Sequence, residues 1–311
     1  MPSRSPAVPV TATRLTTDHT ATGHSPGNRP ATGGFPAAPL RIVAAQAPVV
    51  AGDIPANAVT AAAVIREAAA AGARLVVFAE KFLSGYEPDL IRADPLRHAV
   101  QIDDSRLAPI SDACRESGTT AVVGAAVQDE TGSLRVSALV IGPSGELVTR
   151  YDKQYLFKAE REIYRPGTAG CTLELDGWRL GLGICYDSGF PEHARAAALD
   201  GCHAYLVGAL FSVGHGHHES RTWFPARALD NTVYTLLANH IGESGGWNTC
   251  GTSAVWAPDG RLLAEAGADR RELVLVDLDP AVLSATRRSE PLLHDLHDRP
   301  DDTPRTRHRL S

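Results

Sequence analysis

An α/β fold built as one large domain is what the sequence predicts, and three observations predict it. Short β-type apolar runs alternate with helix-compatible segments from Leu40 onward. No linker rich in Pro, Gly and Ser divides residues 40–286. The chain has 311 residues, 43% hydrophobic and 21% charged, enough to bury a sizeable core. The same composition excludes collagen, disorder throughout and small disulfide scaffolds.

In chain order, residues 1–39 hold seven prolines and seven threonines but few large apolar side chains. That is too little burial to offset the entropy of ordering, so a disordered tail is expected. A transit peptide is the competing reading, since Arg4, Arg14 and Arg29 stand against only Asp18, but no amphipathic helix accompanies them. The predicted strands are Arg41–Gln46, Leu75–Phe78, Thr120–Gln128, Ser137–Gly142, Trp178–Cys185, Ala204–Val207, Thr232–Asn239, Thr252–Trp256 and Leu273–Leu278. Helices are predicted over Asn57–Ala70, Pro191–Leu199 and Arg221–Asp230, where Ala, Arg, Glu and Leu recur at helical spacing. Turns are marked by Gly142-Pro143-Ser144-Gly145 and Pro258-Asp259-Gly260. Residues 287–311 are highly charged and poor in apolar side chains, so an extended or disordered arm is expected there.

The net charge of -6 and pI near 6.0 argue against a nucleic-acid or anionic-membrane partner. Cys114, Cys171, Cys185, Cys202 and Cys250 are odd in number and widely spread, which suits reduced thiols in a cytosol. No run of 18 apolar residues and no secretory h-region is present, so a soluble cytoplasmic protein is expected.

Several familiar motifs fail on context. Gly181-Leu182-Gly183 opens like a dinucleotide loop, but Tyr186 stands where the third glycine must allow close helix packing. Gly242-Glu243-Ser244-Gly245-Gly246 matches GxSxG, yet Trp247-Asn248-Thr249 after it reads as loop, and a nucleophilic serine needs a supporting helix. His215, His217 and His218 lack a matching Cys, Asp or Glu framework, so a polar loop is expected in place of a metal site.

Chemistry gathers instead at three strand ends: Glu80 after Leu75–Ala79, Lys153 after Tyr151-Asp152, and Cys185 after Leu182-Gly183-Ile184. Strand ends lie at a sheet rim, where loops form pockets and buried charges must pair. A thiol with an ordinary pKa of about 8.5 is mostly protonated at neutral pH, so a nearby base and cation are needed to activate it. Glu80 and Lys153 are one of each.

The segments around these residues resemble the three signatures of the nitrilase superfamily, the carbon–nitrogen hydrolases. They are Phe78-Ala79-Glu80-Lys81-Phe82-Leu83-Ser84-Gly85-Tyr86, Tyr151-Asp152-Lys153-Gln154-Tyr155-Leu156 and Gly183-Ile184-Cys185-Tyr186-Asp187. The resemblance spans Leu40 to Arg287 and includes Gly52-Asp53, Asn57, Trp223–Gly242 and Gly251-Thr252-Ser253. It implies a four-layer α-β-β-α sandwich, a Glu80-Lys153-Cys185 catalytic set, Glu160 in support, and no cofactor or metal. In such a set Cys185 would attack the amide carbon while Glu80 takes its proton. Lys153 and the Tyr186 N–H would hold the oxyanion. A homo-oligomer, dimer or larger, is expected on the same ground.

Cys185-Tyr186-Asp187-Ser188-Gly189-Phe190-Pro191-Glu192 resembles the amidase and carbamoylase branches, so a small amide is the expected substrate. The alternatives are an N-carbamoyl amine or amino acid, a nitrile, acyl transfer to an amine, and a non-catalytic binding protein. Gly189 stands where an arginine is frequent, and Tyr155 where a histidine is often seen. Tyr86, Glu87, Phe190 and Trp223 are the expected substrate contacts, carried by loops around the strand ends.

Overall fold

The computed structural model describes residues 34–297 together with 306, 307 and 309. Residues 1–33 of the expected tail lie outside the described residues, as does most of the segment after His297. Strands buried on both faces read as near-continuous apolar sequence, and the first half of the chain holds several. They form a parallel set, β1 (Leu40–Gln46), β2 (Leu75–Val77) and β3 (Thr120–Gln128), followed by antiparallel β4 (Leu134–Ile141) and β5 (Leu147–Asp152).

The second half repeats the pattern. β6 (Thr172–Leu175) pairs antiparallel with β7 (Trp178–Ile184), which runs parallel with β8 (Ala204–Ala209) and β9 (Tyr234–Asn239). A short hairpin, β10 (Glu243–Ser244) and β11 (Trp247–Asn248), precedes antiparallel β12 (Ala254–Trp256) and β13 (Leu262–Glu265). β14 (Glu272–Leu278) returns to pair antiparallel with β1. The two six-stranded sheets thus have matching orders, β14-β1-β2-β3-β4-β5 and β6-β7-β8-β9-β12-β13.

The helices are α1 (Ile54–Ala70), α2 (Pro88–Ala93), α3 (Pro95–His98), α4 (Ala108–Ser117), α5 (Glu160–Ile163), α6 (Pro191–Leu199), α7 (His215–Asn231), α8 (Pro280–Ser289) and α9 (Leu292–His297). The period of two along each strand decides the layers. Leu40, Ile42 and Ala44 of β1 join Leu236 and Ala238 of β9 and Leu180, Leu182 and Ile184 of β7 in one core between the sheets. Val43 and Ala45 turn the other way, onto Ala58, Ala61 and Ile65 of α1 and Ile110 of α4. Tyr205 and Val207 of β8 likewise pack on Ala194 and Ala198 of α6 and Phe224 of α7. The result is the expected four-layer α-β-β-α sandwich in one large domain.

β3 and α6 have the predicted limits. α1 starts at Ile54, earlier than the predicted Asn57, because Asp53 caps it by accepting from Ala56 N at 3.0 Å and Pro55 suits the first turn. α7 starts six residues before the predicted Arg221, so the histidines expected in a loop are helical. α9 replaces part of the expected arm, since Leu293 packs against the core beneath α7. β5, β6 and β13 lack continuous apolar runs because they lie at or next to sheet edges and are largely half-buried or exposed.

Candidate active site

Glu80 owes its position to two glycines. Beyond β2 the segment Phe78-Ala79-Glu80 passes between β3 and β8 so closely that a Cβ on Gly124 would overlap Ala79 O, and one on Gly208 would overlap Phe78 O. Asn57 of α1 then fixes the following loop, donating to Leu83 O at 2.9 Å and to Val50 O at 2.8 Å. Lys153 leaves the end of β5 with its backbone N–H bonded to Val136 O of β4 at 2.8 Å. Glu160 is the first residue of α5.

These side chains converge in the interior, where Glu80, Lys81, Lys153 and Glu160 are each at most 2% exposed. Lys153 Nζ donates to Glu80 Oε1 at 2.7 Å and to Glu160 Oε2 at 2.8 Å. The two carboxylates are not equivalent. Glu160 also accepts from Phe157 N and from Tyr86 OH, each at 2.8 Å, and lies 3.5 Å from Lys81 Nζ. Glu80 Oε2 is buried with no partner.

The electrostatics follow from this asymmetry. Burial acts to raise the Glu160 pKa, but Lys153, Lys81 and the donated hydrogen bonds bring it down to about 2. Burial pushes the Glu80 carboxyl above its ordinary value, and Glu160 adds to the shift while Lys153 and Lys81 oppose it. Burial disfavours the Lys153 charge, but Glu160 and Glu80 outweigh it and hold the ammonium well above the ordinary lysine range. Glu160 is therefore a fixed anion, and Glu80 is the carboxylate with an oxygen available to a proton.

Cys185 follows β7 directly, with a φ of 43°, a left-handed conformation that side chains rarely adopt. Asp187 holds the turn together from beneath. Its carboxylate accepts from Ile184 N at 3.0 Å, Tyr155 N at 2.9 Å and Tyr151 OH at 2.7 Å. Arg227 of α7 closes the far side by donating to Ser188 O at 3.0 Å and Gly189 O at 3.1 Å. Cys185 is half-buried as a residue, and its thiol donates to Leu210 O, just past β8, at 3.5 Å. Burial raises its pKa well above the ordinary thiol value, with Glu80 adding to the shift and Lys153 opposing it.

The structure brings Glu80, Lys153, Cys185, Glu160 and Tyr86 into one cluster, with Tyr86 turned to Glu160. Tyr186 and Phe190 line a neighbouring cleft of about 310 Å³ with Tyr155, Tyr164, Arg161 and Arg165, and Phe190 stacks on Tyr155 at 3.7 Å. Trp223 packs on Phe211 and covers Gly189, leaving little room for a side chain there. Glu87 is engaged elsewhere, accepting from Gly245 N at 2.8 Å and Ser244 Oγ at 3.2 Å. Ser244 sits in the β10–β11 hairpin and accepts from Tyr86 N at 2.8 Å. Among the described residues no three His, Cys, Asp or Glu side chains are grouped to hold a metal, and no helix is long and apolar enough to cross a membrane. Lys81, Tyr164 and Asp187 are further members of the site. Only Lys81 and Asp187 had a visible signal, as charged neighbours of the reactive residues in apolar-flanked segments.

Residues 41–288 match the carbon-nitrogen hydrolase family, and the chain belongs to it. It is 31% identical to a nitrilase from Pyrococcus abyssi over 75% of this chain and 86% of the relative. It is 29% identical to omega-amidase NIT2 from Homo sapiens, over 76% and 87%. Among solved structures it superposes on the amidase from Nesterenkonia sp. AN1 with a TM-score of 0.71 and 30% identity, covering 83% of this chain and 99% of that one. Nit3 from Saccharomyces cerevisiae, a nitrilase superfamily member, gives 0.76 and 27%, over 83% and 96%. The protein is thus a nitrilase-superfamily hydrolase acting on carbon–nitrogen bonds other than peptide bonds.

Proposed function

We propose that the protein hydrolyses the C–N bond of a small amide through a thioester on Cys185, releasing ammonia and a carboxylic acid. The observation that carries this is the unpartnered Glu80 Oε2 in a cluster where Lys153 anchors the other oxygen and Cys185 is close enough to feel both charges. Glu80 takes the thiol proton as Sγ attacks the carbonyl carbon, then delivers it to the departing nitrogen. Lys153 faces the oxyanion together with the Tyr186 N–H, which lies at the start of a helical turn where backbone donors lack intrahelical partners. Glu80 next takes a proton from water as it attacks the thioester, and Cys185 leaves protonated. Glu160, saturated by its donors, holds Lys153 in place.

The Nesterenkonia amidase supports this reading: one mutant carries acrylamide added at the active-site cysteine, and another is in complex with butyramide. The test is ammonia release over aliphatic amides, ω-amides, N-carbamoyl amines and nitriles, with wild type and Cys185→Ala run together. Aliphatic amides are expected to turn over in the wild type alone. Carbon dioxide released with the ammonia would instead identify an N-carbamoyl substrate.

A further inference from the structure

Lys81 is fully buried beside the reacting groups, and the scheme above gives it nothing to do. Its ammonium has one hydrogen-bond partner, Glu160 Oε1, at a long 3.5 Å. Two tyrosine rings lie against it. Nζ lies 3.3 Å from the centroid of the Tyr86 ring and 5.1 Å from that of Tyr164. Such a cage stabilises a cation through the ring faces, but a buried ammonium with so few donors satisfied remains expensive. Its backbone is also in the left-handed region, with a φ of 48°.

Charge explains the arrangement. Glu80, Glu160 and Lys153 alone would enclose a net charge of -1 among buried side chains, and Lys81 brings the sum to zero. We propose that Lys81 is a positioning residue for the hydrolysis: its ammonium balances Glu160, so that Lys153 serves Glu80 and the reacting thiol and Glu80 stays ionised as a base. The inference rests on the Cys185, Glu80 and Lys153 roles proposed above. Besides those three groups and Glu160, the titratable neighbours are Tyr86, Tyr164 and His240. Burial and Lys81 hold His240 neutral, with its pKa near 4, and Nε2–H donates to the Glu80 carbonyl at 2.6 Å. Neither tyrosine ionises, because burial and the two carboxylates raise both phenols far above their ordinary value. Lys81 lowers the Glu80 pKa, so removing its charge makes Glu80 hold its proton to higher pH.

Two pH profiles test this: kcat/KM for amide hydrolysis, and alkylation of Cys185 by iodoacetamide, followed on the Cys185 peptide by mass spectrometry. In Lys81→Gln the acid limb of both is expected to move up by about one pH unit, a rate about tenfold lower at fixed pH on that limb. Lys81→Arg keeps the charge and should keep the limb. The double variant Lys81→Gln/Glu160→Gln removes both charges and should return the limb toward wild type, and it decides the matter if Lys81→Gln alone does not fold. A folded Lys81→Gln enzyme with the wild-type limb would overturn the proposal, as would equal shifts in the Gln and Arg variants or a folded double variant with the limb still raised. If Cys185→Ala retained full turnover, the catalytic reading itself would fail, whatever Lys81 did.

Discussion

β2 and β8 hold the same place in their sheets, third from the β14 and β6 edges, and each runs parallel to both neighbours. They deliver different chemistry. Beyond β2 the chain presents the Glu80 carboxylate, whereas beyond β8 it presents a backbone oxygen, Leu210 O, to the Cys185 thiol. The matching ends of β1 and β7 differ in the same way. Gln46 closes β1 with an amide that donates to Gly267 O and Arg270 O and accepts from Ser253 N, all within 2.9 Å, while β7 runs into Cys185. The two halves repeat a scaffold and differ in the few side chains that their strand ends carry.

Replacing one strand-end residue at a time breaks that comparison most sharply. Cys185→Ala should reduce amide turnover to background while the thermal midpoint moves by no more than about 3 °C, as removal of a sulfur from a partly exposed turn predicts. Glu80→Gln should lower kcat by roughly 10²–10⁴-fold with KM within about threefold, measured by steady-state ammonia release. Gln46→Ala, at the strand end that matches Cys185, should leave kcat/KM of the folded enzyme within about threefold but cost about 1–3 kcal/mol in urea unfolding, because buried partners lose their hydrogen bonds.

The glycines sharpen the comparison from within the sheets. Gly124→Ala and Gly208→Ala press on the same 78–80 segment from opposite sheets, so each should destabilise by about 1–3 kcal/mol and lower kcat by displacing Glu80. A neutral Gly208→Ala would show that the second sheet does not help to aim the base.

The smallest effect is a matter of pH. Glu160 is held near 2 against an ordinary value of 4.5, so its stabilising contribution is complete above pH 4.5 and is lost as pH falls toward 2. Glu80, raised above its ordinary value, works in the opposite sense: its penalty to the folded state is present above that range and is relieved on protonation. Glu160→Gln should therefore be less stable than wild type at neutral pH, with the gap closing in acid, as read from urea midpoints across the range.

Much of this was legible in the chain because buried parallel strands leave a continuous apolar record. Thr120–Gln128 is buried through eight of its nine residues and was predicted to its limits. Leu147–Asp152 has a single buried residue, Tyr151, and left no such record, although Lys153 at its end was marked by its neighbours. α4 was missed because its apolar face is only Ile110, Ala113 and Cys114, interrupted by Ser, Asp and Arg. Asp187 and Lys81 were visible only as charged neighbours of the reactive residues, because the sequence does not reveal which charged groups the fold will enclose.

The sequence by itself determined the α/β class and the order in which Glu80, Lys153 and Cys185 arrive, since apolar periodicity and short motifs are local properties of the chain, and the layered sandwich followed from its resemblance to the nitrilase superfamily. Only the tertiary structure decided that Glu160 is saturated and Glu80 is not, that Glu87 serves a hairpin, and that Lys81 completes the charge balance. Those outcomes depend on distances between segments 70 to 160 residues apart, where burial removes the water that would otherwise screen one charge from another.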